Sequence, residues 1–467
     1  MGGLLRKDGD EGEVGSTGST TTTGTDTKVG EEGSDPLVDS LVETQPTTGT
    51  DAPPPDAPKK PGFFEKLKQK AEQKKVEKQV KLQAEAPDKF DAAVGEKKWS
   101  TAGSQLLVMP IAAALSKWAA ATKDQRTEIG KALRTKKPSG GNVADSLKKL
   151  AQATDESEPY AVKYLFSARF HMMASRSHMD DGGTTWTKAG LMRSWDVLEL
   201  LPQKNTSKNM FLKNWTRYAA ASGEGFYGAV GILYSEAAMG YKDDTEIGTK
   251  VNTQDAVDSP FHGKNEFDNT CRHEVGHAVD KKIGGARRLA SKSENGGWKS
   301  HGSGGKSLVK TLVSKSAGAI NGLPDKAKSA VIQVLADAMD AGTTDVANPV
   351  KQALIDNGVK KTQVHTAVLA DPALKTVTDN GRDKSPWYNN PDGGVIVDGR
   401  VYQESYPGKW TSYLQSARDR KVSRYQWRAD GEWFAEVYAT YFLPGDGPQK
   451  LAAVDPASAT WFGKNVA

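Results

Sequence analysis

His273-Glu274-Val275-Gly276-His277 (HEVGH) is the stretch that decides how this 467-residue chain is read. On a helix, imidazoles four residues apart share a face, so both rings reach one metal ion, and the Glu after the first stands beside them. Zn²⁺ suits such a pair, and Glu274 is then the base that takes a proton from the water the metal activates. The flanks support a helix. Asp268, Asn269 and Thr270 are N-cap types just upstream, and Ala278 and Val279 continue an apolar run as far as Lys281, Lys282 and Gly284-Gly285. Cys271, two residues before His273, faces away from it on that helix, so a cysteine hydrolase is a poor reading. As the chain's single cysteine it also excludes a fold stapled by intrachain disulfides.

A zinc hydrolase needs a third protein ligand. The metzincin continuation, Gly and then His, is rejected because Asp280 and Ile283 hold those positions. Asp280 lies along the same helix as His277 and is better placed to support the ligands from outside than to bind. The stronger candidate is downstream, in GEWFAEVYATYF, Gly431 to Phe442. Asp430 can cap this helix, and Pro444-Gly445 closes it. Glu432 and Glu436 share a face bordered by Trp433, Val437 and Tyr441, an arrangement that suits a buried cation. Glu432 would complete a two-His, one-Glu site with an open fourth position, and Glu436, one turn on, would hydrogen-bond a ligand imidazole and fix its tautomer. His301, in the Gly-rich loop Asn295 to Gly305 with Trp298, is the next alternative to Glu432, together with Asp280.

Composition organises the rest. Residues 1–61 are rich in Gly, Thr, Ser and acidic residues with a Pro cluster at Pro53 to Pro55, and read as a disordered tail. Residues 62–88 carry seven lysines among a few glutamates and read as a basic helical linker ended by Pro87. Residues 89–205 show helical periodicity at Leu106 to Ala121, Val143 to Ala153, Pro159 to Ala174 and Thr187 to Leu201. His171 and His178 fall here with no carboxylate at metal-site spacing, and read as ordinary structural histidines. Gly225 to Ser235 then reads as a strand upstream of the metal helix, either a core strand or an edge to which an extended peptide adds, and Gly240 to Asn265 as a polar loop. The formal charge of +5 is small for the length and does not argue for nucleic acid. Leu106 to Leu115 is too short to span a bilayer and contains Pro110, so no transmembrane segment is expected. No apolar run follows Arg6 and Lys7, so a chain made in the cytoplasm without a standard secretory signal is expected, and Arg6 stands where an acylation motif requires Ser or Thr.

HEVGHAVD followed by EWFAE resembles the anthrax lethal factor-like zinc metalloprotease domains of bacterial toxins, within the gluzincin class. The resemblance covers about residues 225–285 and 395–444. It implies an α+β, zincin-like core, Glu432 as zinc ligand, Glu436 as its support, and a Tyr seven residues before the ligand Glu that assists the tetrahedral intermediate. That position is Tyr425. It further implies cleavage of a protein or peptide substrate, and a toxin or effector exported or injected by a secretion apparatus. The chain departs from the family in placing Glu432 155 residues after His277. Helical periodicity at Lys306 to Ile320, Asp325 to Ala341, Pro349 to Asn357 and Thr362 to Leu369 reads as a helical insertion at about 303–372 within a metalloprotease domain of 206–467. A hairpin, Val395 to Val397 and Arg400 to Tyr402 about Asp398-Gly399, and a short helix near Trp410 to Arg418 lead back to the catalytic part. The expected function is a zinc endopeptidase. The alternative is a non-catalytic zincin-fold binding or delivery protein that works through its tail and basic helix.

Overall fold

The computed structural model describes residues 63–467 except 140, 179–182, 221–223, 231–233, 250–258, 285, 344, 381–394, 407–408 and 421. The tail expected to be disordered lies outside the described residues, as do Ile232, Leu233 and Gly285. The described residues form a mixed α/β structure in which helix predominates over two small four-stranded sheets. By compactness the chain divides into two units. One takes the residues up to Asp196 with Lys213–Ala219 and Gly228–Glu236, and the other takes Val197–Leu212, Ala220–Tyr227 and Ala237–Ala467.

The N-terminal part contains α1 (Phe63–Gly95), α2 (Trp99–Val108), α3 (Ile111–Ala120), α4 (Lys123–Lys136), α5 (Gly141–Ala153), α6 (Pro159–Phe170), β1 (Met173–Arg176) and α7 (Lys188–Glu199). Next come β2 (Asn214–Ala219), β3 (Glu224–Val230) and β4 (Tyr234–Tyr241). Contrary to expectation, Pro87 does not end the basic helix, which runs on to Gly95. An interior Pro costs a helix about 3 kcal/mol. Here Ala86, Phe90 and Ala93 are buried on either side of it, in a segment that packs on α2 and α3, and that burial offsets the cost. α4 starts on a complete capping box, Thr122 with Gln125. α6 stops at Phe170, short of the Ala174 end its periodicity predicted, because His171 adopts the left-handed conformation, φ 57°. The chain then forms β1, parallel to β2, so this region is not wholly helical. Trp195 packs against Phe166 and Phe170, and the indole N–H groups of Trp186 and Trp215 donate to Trp215 O and Ser194 Oγ. The first sheet is ordered β1-β2-β4-β3, so the single strand expected at 225–235 is two.

The second unit continues with α8 (Asp244–Thr249), α9 (Ser259–His262), α10 (Glu266–Ile283) and α11 (Ala286–Ala290). β5 (Lys299–Ser303) is followed by α12 (Gly305–Lys315), α13 (Asp325–Ala341), α14 (Ala347–Asp356), α15 (Thr362–Leu369) and α16 (Pro372–Asn380). β6 (Val395–Val397), β7 (Arg400–Tyr406), β8 (Lys409–Leu414), α17 (Asp430–Tyr441), α18 (Gly447–Val454) and α19 (Pro456–Asn465) complete it. The helical segment builds its own core from residues such as Leu308, Val331, Leu335, Val350 and Leu374, which extends onto Tyr402 of β7 and Trp410 of β8. β6 and β7 form the expected hairpin, with Val395 opposite Tyr402 and positive φ at both Asp398 and Gly399, as a type I′ turn requires. The short helix expected near Trp410 is instead β8, held between β5 and β7, and only Gln415–Arg420 is helical, as a 3₁₀ turn. No helix among the described residues is long and apolar enough to cross a membrane.

Candidate metal centre

α10 and α17 pack directly on each other, and the centre lies on them. α10 begins one residue after Asn265, whose side chain accepts from Asp268 N–H at 3.0 Å, so Asp268, Asn269 and Thr270 lie inside the helix rather than capping it. Glu266 and Asp268 in the first turn, and Lys281 and Lys282 in the last, complement the helix dipole, and Gly284 ends the helix at φ 89°. α17 starts after Ala429, with no side-chain cap, and Asp430 is already helical. α17 is buried almost all round, not on one face. The helices approach this closely because position 276 has no side chain: a Cβ on Gly276 would lie 2.9 Å from Ala435 Cα and 3.1 Å from Tyr438 Cβ.

Three donors converge in this contact. His273 Nε2 and His277 Nε2 are 3.0 Å apart, and Glu432 Oε2 is 3.0 Å from the first and 3.4 Å from the second. Tetrahedral bonds of about 2.1 Å to nitrogen and oxygen separate donors by about 3.4 Å, so the triangle fits a small divalent cation. His273, His277 and Glu432 therefore form a group able to hold a metal ion. The field around it agrees. Burial by itself would lower the pKa of His273 and His277, yet contact with Glu432, and for His273 also Glu436, holds both above the ordinary imidazole value. Burial likewise would raise Glu432, but the two histidines hold it well below the usual carboxylate range. A field that draws protons onto buried imidazoles also favours a cation between them.

Glu436 lies on the Nδ1 side of the His273 ring. Its Oε1 lies 2.6 Å from His273 Nδ1, which leaves His273 Nε2 for the metal position. Its Oε2 meets His262 Nε2 at 2.7 Å. His262, on α9 and buried, is a participant that the sequence reading left inside a polar loop. Tyr425, on a 3₁₀ turn ahead of α17, points its hydroxyl at Glu432 Oε1, 3.4 Å away, and Arg428 Nη1 donates to that hydroxyl at 3.2 Å. Glu274 is buried one residue along from His273, and β3 passes beside it: a Cβ on Gly225 would come 2.7 Å from Glu274 Oε1 and 2.5 Å from Thr270 Cγ2. On the same strand Tyr227 stacks on His277, with centroids 6.2 Å apart, and its hydroxyl donates to Phe211 O. Gly225, Tyr227 and Gly276 carry no signal of this role in the sequence, because each depends on an element distant along the chain.

Asp280 does not join the donors. Burial raises its carboxyl to about 7 against the opposing charge of His277, and it accepts a hydrogen bond from Ala286 N–H. His301 is also elsewhere, on β5, with Nε2 2.9 Å from Ser412 Oγ and its ring beside Tyr402, so it is not an alternative ligand in this arrangement. His171 ends α6, and His178 lies beside Tyr234. A scan against protein-family models gives no match to the chain, and searches of curated proteins and of solved structures give none either.

Proposed function

We propose that the chain is a zinc-dependent endopeptidase with a zincin-like α+β core. The observation that supports this most is the meeting of His273 and His277 with Glu432, with Glu274 on the same helix and Tyr425 beside the carboxylate. His273, His277 and Glu432 would hold zinc, which would supply Lewis acidity to a water and to a peptide carbonyl. Glu274 accepts the water proton on its carboxylate and passes it to the leaving amine. Tyr425 donates its phenolic hydrogen to the oxygen of the attacked carbonyl as charge develops there. Glu436, with Oε1 2.6 Å from His273 Nδ1, would favour the His273 proton on that nitrogen. Tyr227 braces the His277 ring, and β3 offers backbone groups to an extended peptide. The substrate class is therefore a protein or peptide segment, and action inside another cell follows from the toxin-type resemblance.

The test is Glu274→Gln. Zinc content is expected to stay near one per chain while hydrolysis of a peptide library falls by at least about 100-fold, the usual worth of a general base. Unchanged cleavage would sink the reading. A parent chain that binds zinc and cuts no peptide or protein would favour the alternative, a zincin-fold binding or delivery protein.

A further inference from the structure

Glu436 has two oxygens and two histidine partners. Oε1 lies 2.6 Å from His273 Nδ1 as an ion-pair contact, and Oε2 is hydrogen-bonded to His262 Nε2 at 2.7 Å. All three groups are buried, with His262 6% and Glu436 3% exposed. A buried carboxylate bonded through one oxygen can still rotate about its terminal torsion, which is broad and soft. Held at both, by the hydrogen bond at Oε2 and the ion-pair contact at Oε1, its plane is fixed, and with it the direction in which the His273 ring presents Nε2. His262 is itself held. Its carbonyl accepts from Arg272 Nη2 at 2.8 Å, and the same guanidinium donates through Nε to Ala439 O of α17 at 3.2 Å. α9 packs against α17 and α18, and Gly263, at φ 79°, turns the chain directly after it. The chain thus places a histidine behind the carboxylate that stands behind a ligand histidine, and anchors it to both metal-site helices.

From this geometry we infer that His262 is a positioning residue for the metal centre, acting through Glu436 to fix the His273 imidazole. The inference rests on the metal-site reading and adds a layer to it. Removing the bond at Oε2 leaves a buried carboxylate oxygen short of a donor, so the carboxylate turns toward whatever donor remains and the His273 ring follows. Loss of such an outer partner characteristically weakens metal binding 10- to 100-fold.

The experiment measures the zinc dissociation constant by chelator competition on the full chain, with no reference to catalysis. His262→Leu is expected to weaken zinc binding 10- to 100-fold. His262→Gln, whose amide nitrogen reaches the Nε2 position, should stay within about 3-fold of the parent, and His262→Asn, whose amide stops short, should behave like Leu. In a Glu436→Ala background, His262→Leu should add less than about 3-fold, because its route is already cut. Should the Leu variant fail to fold, the Gln and Asn pair carries the test. The inference is overturned if the Leu and Asn variants bind zinc as the parent does, if Gln is as weak as Leu, or if the two losses multiply in the double variant. A parent that binds no zinc would overturn the metal-site reading and this inference together, whereas tight binding unaffected by His262→Leu overturns this inference alone.

Discussion

Gly276→Ala tests the packing that brings the ligands together. The added Cβ would sit 2.9 Å from Ala435 Cα, 3.1 Å from Tyr438 Cβ and 3.2 Å from Ala435 O. Carbon atoms rest at about 3.5–4.0 Å, so α10 and α17 must part by roughly 0.6 Å or more at this point. Two of the obstructing atoms are backbone, which cannot turn aside as a side chain can. Overpacking of this kind costs about 1–3 kcal/mol, and Ala recovers up to about 1 kcal/mol over Gly in a helix interior. The metal-free protein should therefore lose only about 0–2 kcal/mol by urea denaturation. Metal binding should suffer more, since ligand distances tolerate about 0.2 Å and Glu432 lies one turn from the obstruction. Zinc affinity, read by chelator competition, should fall at least 10-fold. Gly431→Ala is the control: it adjoins Glu432 on the same helix, its added Cβ meets nothing within 4 Å, and zinc affinity should not change. Zinc binding by Gly276→Ala within about 2-fold of the parent would refute the claim that helix approach at this residue sets the ligand triangle.

Two further outcomes follow from the same geometry. Gly225→Ala places a Cβ against Thr270 and the Glu274 carboxylate, leaving all three ligands untouched. Zinc content should be retained while peptide hydrolysis falls at least about 100-fold, and activity within 3-fold of the parent at full zinc occupancy would count against the placement of β3. Asp280 carries a carboxyl that burial raises from 3.8 to about 7. Because the folded value is the higher one, its contribution to stability is complete below about pH 4 and lost as the pH rises to 7, on the order of 4 kcal/mol for about three units. Urea denaturation of the metal-free protein from pH 4 to 8 should show that decline in the parent and a flatter profile in Asp280→Asn. Parallel profiles would exclude Asp280 as its source.

The readable parts of the chain were those where a local pattern met a local boundary. α13 and α15 fall where their periodicity ends, between Pro324 and Gly342 and at Thr362–Leu369, because breakers and caps act within a few residues. The Asp398-Gly399 hairpin was legible for the same reason, since its two turn residues carry the required positive φ. HEVGH and EWFAE each specified a helix face, and the two faces do meet. What was not legible depends on tertiary partners. Lys409–Leu414 is a strand because β5 and β7 flank it, where the sequence alone reads as part of a short helix. α1 continues through Pro87 because its neighbours bury residues on either side. His262 could not be found from spacing, as it meets Glu436 from 174 residues away. Gly276 stands at a position that HExxH leaves unspecified, and its lack of a side chain matters only against Ala435 and Tyr438.

The donors come from chain segments 155 residues apart, and the intervening chain includes a helical segment with a core of its own. An ion bound to both ends therefore also acts as a cross-link. By the reckoning used for disulfides, tying off a loop of that length removes about 5 kcal/mol of unfolded-chain entropy. With Cys271 as its single cysteine the chain cannot form such a tie by oxidation within itself, so a coordination bond is the clasp open to it. A chain clasped in this way would draw mechanical integrity from the same ion that its proposed chemistry needs, and a compartment poor in that ion would cost it both at once.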